Sequence, residues 1–111
     1  MANENDFVKA ASTADIPDGQ VKVVELDGEA IALCNVSGSF FAVADLCSHD
    51  DGPLGEGELD HFEIECPRHG ARFDVRNGKA LCLPAVRPIP TYDVEVRGDD
   101  VWVRSKARSA T

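Results

Sequence analysis

Apolar and polar residues alternate along this chain in short runs, separated by turns rich in Gly, Pro and Asp; no window carries the spacing of an amphipathic helix. Phe7-Val8-Lys9-Ala10 predicts a short opening strand, followed by a polar turn through Ser12, Pro17, Asp18 and Gly19. Gln20 to Leu26 reads as a strand that breaks alternation at Val23-Val24, which predicts a bulge or burial on both faces. Asp27-Gly28 suits a type I′ hairpin turn, Glu29 to Val36 returns as an apolar strand, and Ser37-Gly38 turns the chain into a further strand from Ser39 to Asp45. Phe62-Glu63-Ile64-Glu65 alternates apolar with acidic and predicts one buried face. Arg72 to Val75 predicts a strand turned back by Asn77-Gly78. The chain closes with a hairpin, Tyr92 to Arg97 and Asp100 to Arg104 around Gly98-Asp99, and a polar, basic tail over residues 105–111, expected to fray. The pattern is that of an all-β protein, a meander of antiparallel strands.

At 111 residues the chain is long enough for one domain with a modest core. No stretch approaches the ~20 apolar residues of a membrane span, and Met1 to Asp6 has neither the basic segment nor the apolar run of a signal peptide. Four cysteines without an export signal predict a reducing cytoplasm and metal use rather than disulfides. A net charge of −9 disfavours nucleic acid as a partner.

Candidate chemistry is concentrated in Cys47-Ser48-His49 and Cys66-Pro67-Arg68-His69, two thiol–imidazole pairs with sixteen residues between them. Both pairs sit in Gly- and Pro-containing turn sequence suited to ligand loops, which argues against coincidence. A structural zinc site can be built from two cysteines and two histidines, but it usually groups like ligands, whereas each stretch here carries one of each. The other reading is a [2Fe–2S] centre in which two cysteines hold one iron and two histidines the other. Cys34 and Cys82 lack this context and are expected in the core, Cys82 toward the later proline-rich stretch. His61 is expected at a solvent-exposed turn, and Tyr92 and Trp102 in the core or on a sheet face.

The flanks separate these readings. The stretches from Cys47 to Leu54 and from Cys66 to Asp74 closely resemble the two cluster-binding loops of Rieske proteins, and Leu83 to Tyr92, with Pro84, Pro88 and Pro90, resembles their proline-rich cover loop. The resemblance implies a Rieske-type antiparallel β-sandwich: one domain over residues 1–111, with a small inserted cluster-binding subdomain at about residues 46–74. It implies one [2Fe–2S] cluster, with Cys47 and Cys66 on the buried iron and His49 and His69 on the outer iron. Glycines 52 and 70 are expected to let backbone amides approach the cluster. Asp50 and Asp51 read equally as solvated turn residues or as groups that favour a proton on the free imidazole nitrogens, with Arg68 and Arg72 opposing them.

Within the family, quinol-oxidising members carry an extra cysteine in each loop, joined as a disulfide, and a serine and a tyrosine that donate hydrogen bonds to the cluster. Here Arg68 stands at the second-loop cysteine position, and Ala71 and Phe73 stand at the donor positions, so the disulfide and both donors are missing. Loss of donors lowers the reduction potential, which is expected near about −150 mV rather than about +300 mV. A self-contained Rieske oxygenase needs a second iron site with two more histidines, and only His61 remains. The chain most resembles the free-standing Rieske ferredoxins of bacterial aromatic-ring-hydroxylating dioxygenases. That resemblance implies a cytoplasmic one-electron carrier between a flavoprotein, NAD(P)H-dependent reductase and a terminal oxygenase, with no catalytic site of its own. The small subunit of an assimilatory nitrite reductase and a zinc-stabilised interaction module remain as alternatives. Residues 1–66 hold fifteen acidic and two basic residues, residues 67–111 five and nine. That asymmetry reads either as a solvated surface or as steering onto basic patches of redox partners.

Overall fold

Ten strands form two antiparallel sheets in the computed structural model, which describes residues 7–26, 28–46, 54–55, 57–67, 70–83 and 87–105. Cys47, His49, Asp50, Asp51, Gly52, Arg68, His69, Asp27, Pro84 and tail residues 106–111 lie outside the described residues. The larger sheet contains β1 (Val8–Ser12), β2 (Val21–Leu26), β3 (Glu29–Val36), β4 (Ser39–Ala44), β9 (Thr91–Arg97) and β10 (Asp100–Ser105), in the order β1-β10-β9-β4-β3-β2. The smaller sheet is inserted in the chain between β4 and β9; it runs β5 (Leu59–Asp60), β6 (Glu63–Glu65), β7 (Arg72–Asp74) and β8 (Ala80–Cys82) in sequence order.

Hairpins account for most of the pairing. Ser37 and Gly38 both have positive φ, 53° and 91°, as a type I′ turn requires, and the Asp18 carboxylate accepts the Ser37 N–H at 2.7 Å. β2 pairs with β3 in unbroken register from Val21↔Cys34 to Leu26↔Glu29, so the broken alternation at Val23-Val24 does not mark a bulge. It marks an edge strand used on both faces: Val21 packs on one core and Val24 on the other. Within the larger sheet the register shift lies instead in β1, between Lys9 and Ala11 opposite β10.

β3 and β4 divide the apolar interior. Ile31, Leu33, Ala42 and Ala44 face a core shared with Val101 and Val103 of β10 and with Ile16 of the connection between β1 and β2. Ala32, Cys34 and Val43, on the opposite faces, meet Leu54, Ile64, Cys66, Ala71 and Phe73 of the inserted segment. Every residue of β3 from Ile31 to Val36 is therefore buried, and its inward side chains on one face form the floor on which the smaller sheet rests. Phe41 of β4 meets Phe62 edge-on, centroids 5.8 Å apart, and Arg76 lies over the other ring at 4.2 Å from the Phe62 centroid. Arg76 is held there by paired hydrogen bonds to Asp74, 3.0 and 2.8 Å.

Trp102 is a sheet-face aromatic, half-buried with the Arg97 guanidinium 4.7 Å from its ring centroid. Tyr92 is buried, and its hydroxyl donates to Glu29 at 3.0 Å. Burial first, then this carboxylate, raises the phenol to about 12.

Candidate metal centre

Cys66 is the one expected ligand within the described residues, and its placement follows from a hairpin. β6 and β7 pair at Ile64↔Phe73 and Glu65↔Arg72. The ladder continues with Cys66 N–H donating to Ala71 O at 2.7 Å, and Gly70 N–H then closes the loop onto Cys66 O at 3.0 Å. The chain is thus pinned at Cys66 and at Gly70, on either side of Arg68 and His69 in the sequence. Gly70 has φ 78°, a left-handed conformation in which a side chain is strained. Its own amide is committed to Cys66 O, so this glycine serves the turn.

The Cys66 side chain is 1% exposed, packed among Leu54, Ala71 and Phe73. Cys34, fully buried nearby in β3, shows what an ordinary core thiol does: burial raises its pKa to about 12, and its Sγ turns back to Ala32 O at 3.9 Å. No described residue forms such a bond with the Cys66 sulfur. A buried sulfur at the base of a pinned turn, with an imidazole three residues on, fits a metal thiolate. The chemistry of the donor set, two cysteines and two histidines, fits a Rieske-type [2Fe–2S] group as well. Ala71 and Phe73, both fully buried beside Cys66, place only methyl and phenyl groups there, so neither side chain donates a hydrogen bond. Among the described residues no three ligands come together, since Cys47, His49 and His69 lie outside them.

Two expectations are corrected. Cys82 is not a core residue: β8 is the outer strand of the smaller sheet, its Leu81 is 43% exposed, and the following Leu83 is 76% exposed, so apolar neighbours did not mean burial. Its Sγ donates to Gly70 O at 3.6 Å, which places it against the second ligand turn. Arg72 does not stand as a free positive charge near the site. Glu63 at 3.2 Å and Glu65 at 3.1 Å bind its guanidinium, with Asp60 at 3.7 Å, and these raise its pKa, the Glu63 hydrogen bond foremost. Three carboxylates around one guanidinium leave this face of the smaller sheet acidic. His61, at φ 56° with its side chain 89% exposed, sits at a solvent-facing turn as expected.

The chain is thus an all-β protein whose four-stranded insertion carries a buried cysteine at the end of a hairpin strand. Residues 6–93 match the Rieske [2Fe-2S] domain family, and the chain belongs to that family. The 3-phenylpropionate/cinnamic acid dioxygenase ferredoxin subunit of Escherichia coli (strain K12) is 43% identical over 97 residues, covering 86% of this chain and 91% of that protein. Among solved structures, the ferredoxin of carbazole 1,9a-dioxygenase from Nocardioides aromaticivorans IC177 superimposes with a TM-score of 0.87 at 35% identity, covering 90% of this chain and 98% of that one. A chain from the complex of reduced oxygenase and oxidized ferredoxin in carbazole 1,9a-dioxygenase matches with a TM-score of 0.85 at 33% identity, covering 91% of this chain and 96% of that one. The relatives are named ferredoxins, which are electron-transfer components rather than catalytic subunits.

Proposed function

We propose that this protein is the ferredoxin component of a ring-hydroxylating dioxygenase system, with Cys47, His49, Cys66 and His69 holding its [2Fe–2S] cluster. Electrons come from a flavoprotein, NAD(P)H-dependent reductase and leave to a terminal oxygenase. The observation that carries this reading is the solvent-excluded Cys66 sulfur at the foot of a pinned turn bearing His69. When bound, a cluster of this type accepts and releases one electron.

The residues of the chain supply the surroundings. Leu54, Ile64 and Phe73 exclude water from Cys66, while Ala71 and Phe73 withhold hydrogen bonds and so favour a potential near the low end of the Rieske range, about −150 mV. Asp60, Glu63 and Glu65 give the smaller sheet an acidic face that attracts basic partner surfaces. The same reading treats residues 1–111 as one domain with an inserted cluster-binding subdomain; the bounds of about 46–74 and the tail at 105–111 shift, because β8 carries the smaller sheet on to Cys82 and Ser105 closes β10. It places the protein in the cytoplasm, where Cys34, Cys66 and Cys82 stay unpaired. No helix among the described residues is long and apolar enough to cross a membrane.

The test is electron passage in both directions. With NADH and a catalytic amount of a ferredoxin reductase from such a system, the visible absorption bleaches by one electron per chain, and added oxidised terminal oxygenase restores it. A chain that is not reduced, or is reduced and never reoxidised, overturns the proposal.

A further inference from the structure

Asp45 directly follows β4, and Leu54, nine residues on, is fully buried; Cys47 and His49 lie between them in the sequence. Asp45 is fixed to the sheet by its own N–H, which donates to Ala30 O at 3.0 Å. One oxygen of its side chain, Oδ1, accepts both the Leu54 N–H at 2.7 Å and the Gly55 N–H at 2.5 Å. A single carboxylate thus joins the two ends of the stretch that holds Cys47 and His49. Gly55 permits the approach, because a Cβ there would overlap Val23 Cγ2 and stand 3.2 Å from Asp45 Oδ1. The joint continues to the other loop. Leu54 O accepts the Gly57 N–H at 2.9 Å, Gly57 lies so close to Glu65 O that a Cβ would overlap it, and Glu65 precedes Cys66.

We infer that Asp45 is a positioning residue of the metal centre: its carboxylate closes the first ligand loop and, through Leu54 to Gly57, sets that loop's place against Cys66. The inference rests on the proposed ligand set. It requires an acceptor able to serve two amides at once, which a carboxylate oxygen does strongly, an asparagine oxygen more weakly and alanine not at all.

The experiment measures release of bound metal to a chelator from wild type, Asp45→Ala, Asp45→Asn and Asp18→Ala. Amide exchange at Leu54 and Gly55 is followed alongside. Asp18 is the control, since its Oδ1 accepts the Ser37 N–H at 2.7 Å, a similar bond in a turn of the larger sheet. Asp45→Ala is expected to release metal about tenfold to a hundredfold faster, Asp45→Asn by a smaller factor, and Asp18→Ala at the wild-type rate. Leu54 and Gly55 lose protection in Asp45→Ala while Ile31 and Val103 keep theirs. Equal release from Asp45→Ala and wild type, or equal acceleration by the Asp18 and Asp45 alanine variants, overturns the inference. If Asp45→Ala does not accumulate with metal, Asp45→Asn decides: faster release than wild type supports the inference and equal release overturns it. Zinc instead of iron in the wild type overturns the carrier reading alone, because the same release rates then test the clamp. A wild type that binds no metal overturns both.

Discussion

The strands of the larger sheet run five to eight residues, whereas those of the smaller sheet run two or three. A long strand gains stability from its ladder and from alternate side chains packed into a core; strands as short as β5 to β8 form too few such contacts to hold their own register. The larger sheet encloses a core from its own strands and Ile16 of the β1–β2 connection, while the smaller one buries its apolar face against β3 and β4. What the smaller sheet lacks in length is supplied by side chains: Arg72 across three acids, Arg76 between Asp74 and Phe62, and Asp45 across the first ligand loop. The metal completes that list. The larger sheet is therefore expected to fold without metal, and the smaller one to depend on it.

Metal removal has the largest expected effect. Cys66→Ser abolishes binding, and amide protection across β5 to β8 falls toward that of an unfolded chain while β3, β4, β9 and β10 keep theirs. Uniform protection after metal loss would erase the distinction between the sheets. Core truncation comes next. Leu33→Ala, in the core of the larger sheet, costs about 2–5 kcal/mol and lowers the unfolding midpoint without changing the metal content of folded molecules. Phe73→Ala costs about 3–5 kcal/mol and in addition lowers metal content, because Phe73 packs with Cys66. Metal analysis of the folded fraction distinguishes the two.

A finer effect concerns potential. Phe73→Tyr introduces a hydroxyl donor beside Cys66; one hydrogen bond of about 1–1.5 kcal/mol, at ~59 mV per tenfold for one electron, raises the midpoint by roughly 45–65 mV. A redox titration with no upward shift contradicts the account of Ala71 and Phe73. The smallest effect is in acid. The Arg76 side-chain hydrogen bond, then that residue's backbone N–H, hold Asp74 below the usual 3.8 against the opposing effect of burial. The unfolded chain then binds the proton more readily than the fold, so this contribution is complete above the usual value and is lost as pH falls through the folded one. Arg76→Ala removes ~1 kcal/mol or less at neutral pH and flattens the acid limb of the stability profile, with melting temperature against pH as the readout.

The larger sheet was the legible half. Period-two runs bounded by Ser37-Gly38 and Gly98-Asp99 gave β3, β4, β9 and β10 to within about a residue, since hairpin turns need residues that accept positive φ. β5 and β8 were not foreseen, because two or three residues are too few to show alternation. Cys82 was misread for the same reason: Leu81 and Leu83 imply a core only when the strand has neighbours on both sides. The spacing of Cys66 to His69 singled out Cys66, which lies buried at the end of β6. Asp45 was not, because its partners lie nine and ten residues on and meet it only through folding; the one signal was a carboxylate at a strand end, two residues before a ligand cysteine.

The most direct test of the central claim is the visible absorption and metal content of protein purified without added metal, followed by EPR after dithionite reduction. The account predicts a brown protein with about two irons per chain that gives a rhombic signal on one-electron reduction. A colourless, EPR-silent protein holding zinc would contradict it.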